Sequence, residues 1–271
     1  IQRALQSVKS QTYRNIEHVI VDDGSSDGLE AVIEKYKNNV DYSVVYYRKQ
    51  NGGKHTAENV AFQICNGDYL VQLDADDELL PDALMVFMRQ WDLVNSRSDG
   101  CEYWCVSCAV CNQFSSNLFG KALPNNINDL PDDLRKDTLR TNHGEKCGCM
   151  KSSVIKQFRF PEPKYVTFVT ESVVWNQIEE RWKTWYCNDV VRVYYISEGE
   201  SLSKPKRSAQ YFSNYNWMYR YLNEQGQNFG VKNSLKYAYS YCMATSLYKK
   251  EYDLVDNLNL RVIEKMIILL T

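Results

Sequence analysis

Four carboxylates crowd the end of one apolar run. The stretch YLVQLDADDELLP, residues 69–81, places Asp74, Asp76, Asp77 and Glu78 within five positions. On an extended chain the side chains alternate, so we expect Asp74 and Asp76 to point to the same side. Mg²⁺ or Mn²⁺ takes one or two protein carboxylates and completes its shell with phosphate oxygens and water. The pair therefore predicts a divalent-cation site at which a diphosphate completes the coordination.

The other two acids have a simpler interpretation. Asp77 and Glu78 precede an apolar helical pattern that Pro81 opens, and acids are favoured at a helix start by the macrodipole. We expect them to play that part. The alternative for all four acids is a solvated set of loop and capping residues, and their spacing does not separate the two.

Two further polar clusters resemble this one in their position along the chain. Strand-like runs at 16–21, 42–47 and 69–73 end in DDGSSD, QNGGKH and DADDE, and helical patterns separate the runs. This alternation predicts an α/β fold with a parallel sheet covered by helices on both faces. Ligands of such sheets bind at the carboxyl ends of the strands, so we expect the three clusters to converge on one crevice.

The first element departs from this repeat. Residues 1–13 have helical spacing, whereas a βα repeat opens on a strand. We expect a further apolar strand upstream of Ile1, pairing beside residues 16–21.

Composition limits the function classes. The chain has 271 residues, 44 % of them apolar, and a formal net charge of −2, which gives no reason to expect a nucleic-acid partner. No apolar run reaches ~18 residues. Nine cysteines, an odd number, argue against a disulfide framework and for a reducing cytosol. Cys101, Cys105, Cys108 and Cys111 could suggest an iron–sulfur or zinc site, but we expect strand-core thiols that are reduced, mostly buried and metal-free.

Taken together, three stretches resemble a known family. VIVDDGSSDG, NGGKHTAENVAF and NGDYLVQLDADDELLP resemble the nucleotide-binding half of the inverting glycosyltransferases of family 2, and the resemblance continues more loosely in HGEKCGCMKSSVIKQFRFPEP and TESVVWNQI. It implies the A-type glycosyltransferase fold, with a mostly parallel central sheet and helices on both faces. We expect this domain to span residues 1–206, and a helical C-terminal extension to span 207–271.

The resemblance also assigns residues to the donor. It places six at the nucleotide: Asp22, Asp23, Asn51, Gly52, Lys54 and Asp74. The acidic pair would bind base and ribose, Lys54 would lie beside the phosphates, and Asp74 would lie near the ribose. Asp76, the second acid of the DxD motif, would bind Mn²⁺ or Mg²⁺ on the diphosphate. A solvated loop lysine is the alternative for Lys54.

For the acceptor side, Glu171 matches the acid of the family's late Glu-Asp motif. Here that motif reads Thr170-Glu171-Ser172, so its second acid is missing. We therefore take Glu171 as the candidate general base, since an acceptor hydroxyl needs a carboxylate to remove its proton. The alternative is that Glu171 only caps a helix. His143 is a further candidate to approach a sugar.

The implied reaction moves a sugar from a nucleotide donor, a UDP-sugar by expectation, to a hydroxyl of a glycan or lipid-linked acceptor. The implied setting is bacterial polysaccharide biosynthesis in the cytoplasm, with possible contact at the inner membrane face. The terminal segment 260–271 could pack on the core, form a homodimer or touch a membrane. Two rival functions stay open: a sugar nucleotidyltransferase, and a non-catalytic nucleotide- or sugar-binding module.

Overall fold

The structure is a computed structural model that describes residues 1–142, 144–164 and 166–196, together with Asn214, Trp217 and Tyr221. The chain divides into two compact units. The first contains Ile1–Gln50, Glu58–Arg159 and Val174–Ile196; the second contains Asn51–Ala57, Phe160–Val173 and the described residues after 196. Most of the expected extension 207–271, and His143, lie outside the described residues.

The described chain contains α-helices and β-strands throughout. The helices are α1 (Gln2–Lys9), α2 (Leu29–Lys37), α3 (Lys54–Ile64), α4 (Ala83–Asn95), α5 (Asp132–Thr141), α6 (Ser152–Ile155) and α7 (Ser172–Glu179). The strands are β1 (Glu17–Asp22), β2 (Ser43–Arg48), β3 (Tyr69–Val71), β4 (Glu78–Leu79), β5 (Tyr103–Asn112), β6 (Ser115–Leu118), β7 (Lys146–Lys151) and β8 (Lys183–Tyr194). The α/β class and the order of elements up to β3 follow the sequence prediction, whereas β4, between β3 and α4, was not predicted.

Strands β1 and β2 form a parallel pair, from Glu17 opposite Ser43 to Asp22 opposite Arg48. A small core of Leu5, Ile20, Ile33 and Tyr36 packs beneath it, so the apolar faces of α1 and α2 cover this pair. Helix α2 begins after Gly28, whose φ of 77° is left-handed and favours glycine.

The larger sheet is mixed. Its strands follow the order β3-β7-β5-β8-β4, and β6 pairs with β5. Among the described strands of this sheet, β5 and β8 run parallel and the other pairs are antiparallel. The expected mostly parallel pairing is therefore limited to β1–β2 and β5–β8. Strands β7 and β8 belong to this sheet although they lie far along the chain. The βα alternation up to residue 95 therefore could not predict their pairing.

The main core lies where α4 packs on this sheet. Phe87, Trp91 and Val94 on α4 are buried at 1 % exposure or less, together with Tyr103 and Val106 on β5. Strand β5 is buried on both faces, which explains its nearly continuous apolar sequence.

The cysteines of this region behave as core residues. Eight described cysteines are free, and six of them are buried. Cys108 on β5 pairs in register with Cys147 on β7, and its Sγ lies 2.7 Å from that of Cys187 on β8. Burial raises the pKa of the Cys147 thiol to about 11 and that of Cys149 to about 12. Burial thus keeps the Cys147 and Cys149 thiols protonated, and both pack within the main core.

Among the described helices, none combines the length and the apolar character needed to cross a membrane.

Candidate functional site

The acidic pair that ends β1 is divided between two environments. Asp22 is buried: its Oδ1 accepts the Ser25 backbone N–H at 2.7 Å, and its Oδ2 accepts the Tyr46 hydroxyl at 2.7 Å. Burial raises the pKa of Asp22, but those hydrogen bonds and the charge of Arg48 outweigh it and leave the pKa below the usual value. One oxygen of Asp22 therefore holds the loop after β1, and the other binds β2.

Its neighbour is more accessible. The Asp23 side chain is 21 % exposed, and its Oδ1 lies 2.6 Å from Nζ of Lys49. Lys49 follows β2 directly, so the pair joins the carboxyl ends of β1 and β2. The structure thus brings Asp23 to the sheet edge at which a ligand was expected.

The DxD segment is a turn, not extended chain. The backbone N–H of Asp77 donates to the carbonyl of Asp74 at 3.1 Å, which places Ala75 and Asp76 at the centre of a four-residue turn. The expectation that Asp74 and Asp76 alternate as on a strand was therefore wrong in its geometry. Asp74 is partly buried and Asp76 is exposed at the turn.

Asp77 points into the protein from the same turn. It is 0 % exposed; its Oδ1 accepts the Tyr195 backbone N–H at 3.0 Å, and its Oδ2 lies 3.5 Å from Nε of Arg192. Burial raises the pKa of Asp77 to about 6; the bond from Tyr195 and the charge of Arg192 oppose the rise, and Asp74 and Asp76 add to it.

The proposed role of Asp77 and Glu78 as helix-start acids was wrong. Helix α4 begins only at Ala83, and Glu78 lies in β4, opposite Val193 of β8. The Glu78 carboxylate accepts the Tyr195 hydroxyl at 2.9 Å. The intervening two-residue strand separates these acids from the helix, so the macrodipole does not determine their positions.

Arg3 contacts the turn from the solvent side. Its Nη1 donates to the Asp76 carbonyl at 2.7 Å, and its guanidinium lies 3.5 Å from the centre of the Tyr195 ring. Beside this contact is a cavity of about 480 Å³, bordered by Arg3, Leu29, Val32, Ala75 and Asp76 among others. Such a volume is in the range of small-molecule sites.

The carboxylates at the turn suit a cation whose remaining ligands come from the substrate and water. Within the described residues, no cluster of three or more His, Cys, Asp or Glu side chains could hold a metal. The chain offers the exposed Asp76, with Asp74 two residues before it. One or two carboxylates suffice for Mg²⁺ or Mn²⁺ when phosphate oxygens and water fill the remaining positions.

The other predicted residues belong to the second unit. Asn51 and Gly52 precede Gly53, whose φ is 93°. A Cβ on Gly53 would lie 1.9 Å from the carbonyl oxygen of Thr167, so only glycine permits this close approach. The loop before α3 therefore lies close against the backbone of Thr167 in the same unit.

Lys54 and Glu171 meet in this unit. Lys54 Nζ donates to Glu171 Oε1 at 3.0 Å, and the two side chains are 26 % and 32 % exposed. Glu171 directly precedes α7, which begins at Ser172. The candidate base and the lysine that was expected beside the phosphates therefore form one salt bridge.

Several residues that the structure places beside the predicted ones, in one unit or the other, were missed in the sequence. Gly53 lies within NGGKH, but its requirement for glycine was not distinguished from that of Gly52. Arg192 had one local signal, a charge amid the apolar residues of VVRVYY, which points to a buried partner. Arg3 and Tyr195 carry no pattern that connects either of them to the turn.

The comparisons with known proteins agree with the α/β class of the fold. The family model described as "Glycosyl transferase family 2" matches residues 1–153. The chain therefore belongs to glycosyl transferase family 2. Asp22 to Asp76 fall within the matched residues, and Glu171 lies beyond them.

Curated relatives carry glycosyltransferase names. The chain is 25 % identical over 208 residues to a GalNAc(5)-diNAcBac-PP-undecaprenol beta-1,3-glucosyltransferase of Campylobacter jejuni, covering 75 % of this chain and 62 % of that protein. It is 39 % identical over 92 residues to a chondroitin synthase of Pasteurella multocida, covering 34 % of this chain and 9 % of that protein. The chain thus spans less than two thirds of the length of these relatives.

Among solved structures, the chain resembles S. aureus TarS 1-349 in complex with UDP-GlcNAc. The TM-score is 0.59 at 15 % identity, covering 98 % of this chain and 74 % of that one. At this identity the likeness shows a shared fold, the A-type glycosyltransferase fold.

Proposed function

We propose that this protein transfers a sugar from a nucleotide-sugar, a UDP-sugar in particular, to a hydroxyl of a glycan or lipid-linked acceptor. The family match over residues 1–153 carries the proposal, because it includes the turn that exposes Asp76. The UDP-GlcNAc bound to TarS and the undecaprenol-linked name of the Campylobacter relative support the donor and acceptor classes. Polysaccharide biosynthesis at the cytoplasmic membrane face is the proposed setting.

The turn would hold the cation. Asp76 is the proposed ligand, with Asp74 beside it near the ribose. A bound Mn²⁺ or Mg²⁺ supplies charge neutralisation for the β-phosphate as the sugar leaves. Because the protein offers few ligands there, the cation and the diphosphate should bind together.

The nucleotide would contact the sheet edge. Asp23 is the more accessible of the β1 acids and is the proposed contact to base or ribose. Asp22 uses both oxygens inside the fold, so its proposed contribution is to hold the loop that presents Asp23. Asn51 and Gly52 are proposed beside the nucleotide.

Glu171 is the proposed general base. A single in-line displacement needs one carboxylate to take the proton of the acceptor hydroxyl, and it inverts the anomeric centre without a second carboxylate nucleophile. Lys54 orients the carboxylate through the 3.0 Å salt bridge and brings a positive charge to the same unit. We propose that this charge also serves the phosphates.

The test is a binding screen followed by product analysis. The full chain is heated with UDP-, GDP- and dTDP-sugars, each with Mn²⁺ and with EDTA. A donor at 100 times its dissociation constant adds ~2.7 kcal/mol of stability, a shift that melting detects. We expect a UDP-sugar to raise the melting temperature more with Mn²⁺ than with EDTA, and free UDP to appear on incubation. Release of pyrophosphate would instead identify a nucleotidyltransferase, and binding without turnover on any acceptor would identify a binding module.

A further inference from the structure

The turn that presents Asp76 is attached to the fold on two sides. Asp76 is exposed, whereas the next residue, Asp77, is fully buried. A carboxylate on an exposed turn would have to lose conformational freedom when it binds a cation. Contacts that hold the turn beforehand remove part of that cost, so their origin bears on metal affinity.

The inner attachment is a buried ion pair. Asp77 Oδ2 lies 3.5 Å from Nε of Arg192, whose side chain is 9 % exposed. Arg192 Nη2 also lies 3.6 Å from the Glu145 carboxylate, so two acids share the buried guanidinium. These contacts tie the turn to β8.

The outer attachment runs through Tyr195, the residue after β8. Its backbone N–H donates to Asp77 and its hydroxyl donates to Glu78, so it contacts both residues that follow Asp76. Arg3 covers the Tyr195 ring at 3.5 Å and donates to the Asp76 carbonyl at 2.7 Å. Arg3 thus fixes the peptide of Asp76 from the solvent side, and Tyr195 fixes the two residues that follow it.

We propose that Arg3 and Tyr195 are positioning residues for the cation ligand Asp76. The inference rests on the proposed metal-dependent function. Neither side chain needs to touch the ion: Arg3 restrains the Asp76 carbonyl, and Tyr195 restrains the two residues beyond it. Together they set the direction in which the Asp76 carboxylate leaves the backbone. Groups that orient a metal ligand in this way affect metal affinity 10–100-fold when removed.

The test uses two substitutions outside the core. Arg3→Gln removes the guanidinium from an exposed site, and Tyr195→Phe removes only the hydroxyl and keeps the ring. Arg140→Gln, on the exposed face of α5 where the arginine is 77 % exposed, is the matched control. For each full-length variant, Mn²⁺ affinity in the presence of UDP is measured by the EPR signal of free Mn²⁺, and UDP affinity is measured in EDTA.

We expect Arg3→Gln and Tyr195→Phe each to weaken Mn²⁺ binding about tenfold, and the double variant up to ~100-fold. UDP affinity in EDTA and the melting temperature should stay close to the parent values, as should all values for Arg140→Gln. Parent-like Mn²⁺ affinity in the double variant would overturn the inference and leave the proposed function intact. An equal loss in EDTA would overturn it too, because the residues would then serve the nucleotide pocket in general. If the parent itself binds no Mn²⁺ with UDP, the proposed function fails and the inference with it.

Discussion

Lys54 and Glu171 are 117 positions apart in sequence, yet Lys54 Nζ lies 3.0 Å from Glu171 Oε1. The salt bridge joins the loop before α3 to the residue before α7 within the second unit. Both side chains keep about a quarter to a third of their surface exposed, so the pair is accessible to solvent. The exposed setting also means that its direct contribution to folding stability is small.

Glu171→Gln tests the base. A base acts only as the proton leaves, so its loss affects the transition state more than donor binding. We expect turnover to fall ~10²–10⁴-fold, the usual contribution of general-base catalysis, with donor affinity nearly unchanged. Glu180→Gln, at an exposed site just past α7, is the control. If Glu171 only caps α7, the variant should instead lose ~1 kcal/mol of stability and keep near-normal transfer.

Asp76→Ala tests the cation ligand. The side chain is exposed, so we expect the fold to persist while Mn²⁺-dependent UDP binding is lost. Asp92→Ala, an exposed acid on α4, should bind UDP as the parent does. Titration calorimetry in Mn²⁺ and in EDTA measures both. Unchanged UDP affinity of Asp76→Ala in Mn²⁺ would show that the ligand lies elsewhere.

Asp77 should matter chiefly to stability. Asp77→Asn leaves Arg192 buried with a weakened partner, and breaking a buried pair from one side costs about 3–5 kcal/mol. Replacing both partners, as in Asp77→Asn with Arg192→Met, should recover much of that loss because no charge is stranded. Urea denaturation of the two single variants and the double variant gives the interaction free energy between Asp77 and Arg192. Strictly additive losses would mean that the pair does not interact.

His18 should make stability depend on pH. It lies in β1, its Nδ1 is 3.0 Å from the Tyr36 hydroxyl, and burial lowers its pKa from 6.5 to about 4. The unfolded chain therefore takes up a proton below pH 6.5, before the folded protein does. Stability should be fully present above pH 6.5 and fall as the pH drops towards 4, by up to about 1.4 kcal/mol per pH unit.

For His18, the quantity to compare is the slope of the unfolding free energy against pH, not its absolute value. His18→Asn removes the titrating group, so its unfolding free energy should vary less between pH 7 and 4.5 than that of the parent. Urea titrations at several pH values give both slopes. Parallel slopes would show that other groups cause the pH dependence.

The sequence predicts the features that depend on neighbouring residues. Apolar periodicity identifies β1, β2 and α4, and motif spacing places the acids at strand ends. The turn at Asp74–Asp77 was not predictable in this way, because alternation assumes extended chain and ignores a hydrogen bond between backbone groups. The partners of the turn were not predictable either: Arg192 is 115 positions from Asp77, and Arg3 is 73 positions from Asp76. The Arg192 contact depends on how strands β4 and β8 pair, and the Arg3 contact depends on where α1 lies.

The pairing of β8 limits where this chain can be cut and when it can fold during synthesis. The family match ends at residue 153, but β8 pairs with both β4 and β5 and ends only at Tyr194. A polypeptide cut at residue 153 would expose the edges of two buried strands and leave Asp77 charged without Arg192, conditions that favour aggregation. On the ribosome, likewise, the first unit cannot close its sheet until residue 194 has emerged from the exit tunnel, so its folding waits on residues beyond the matched segment.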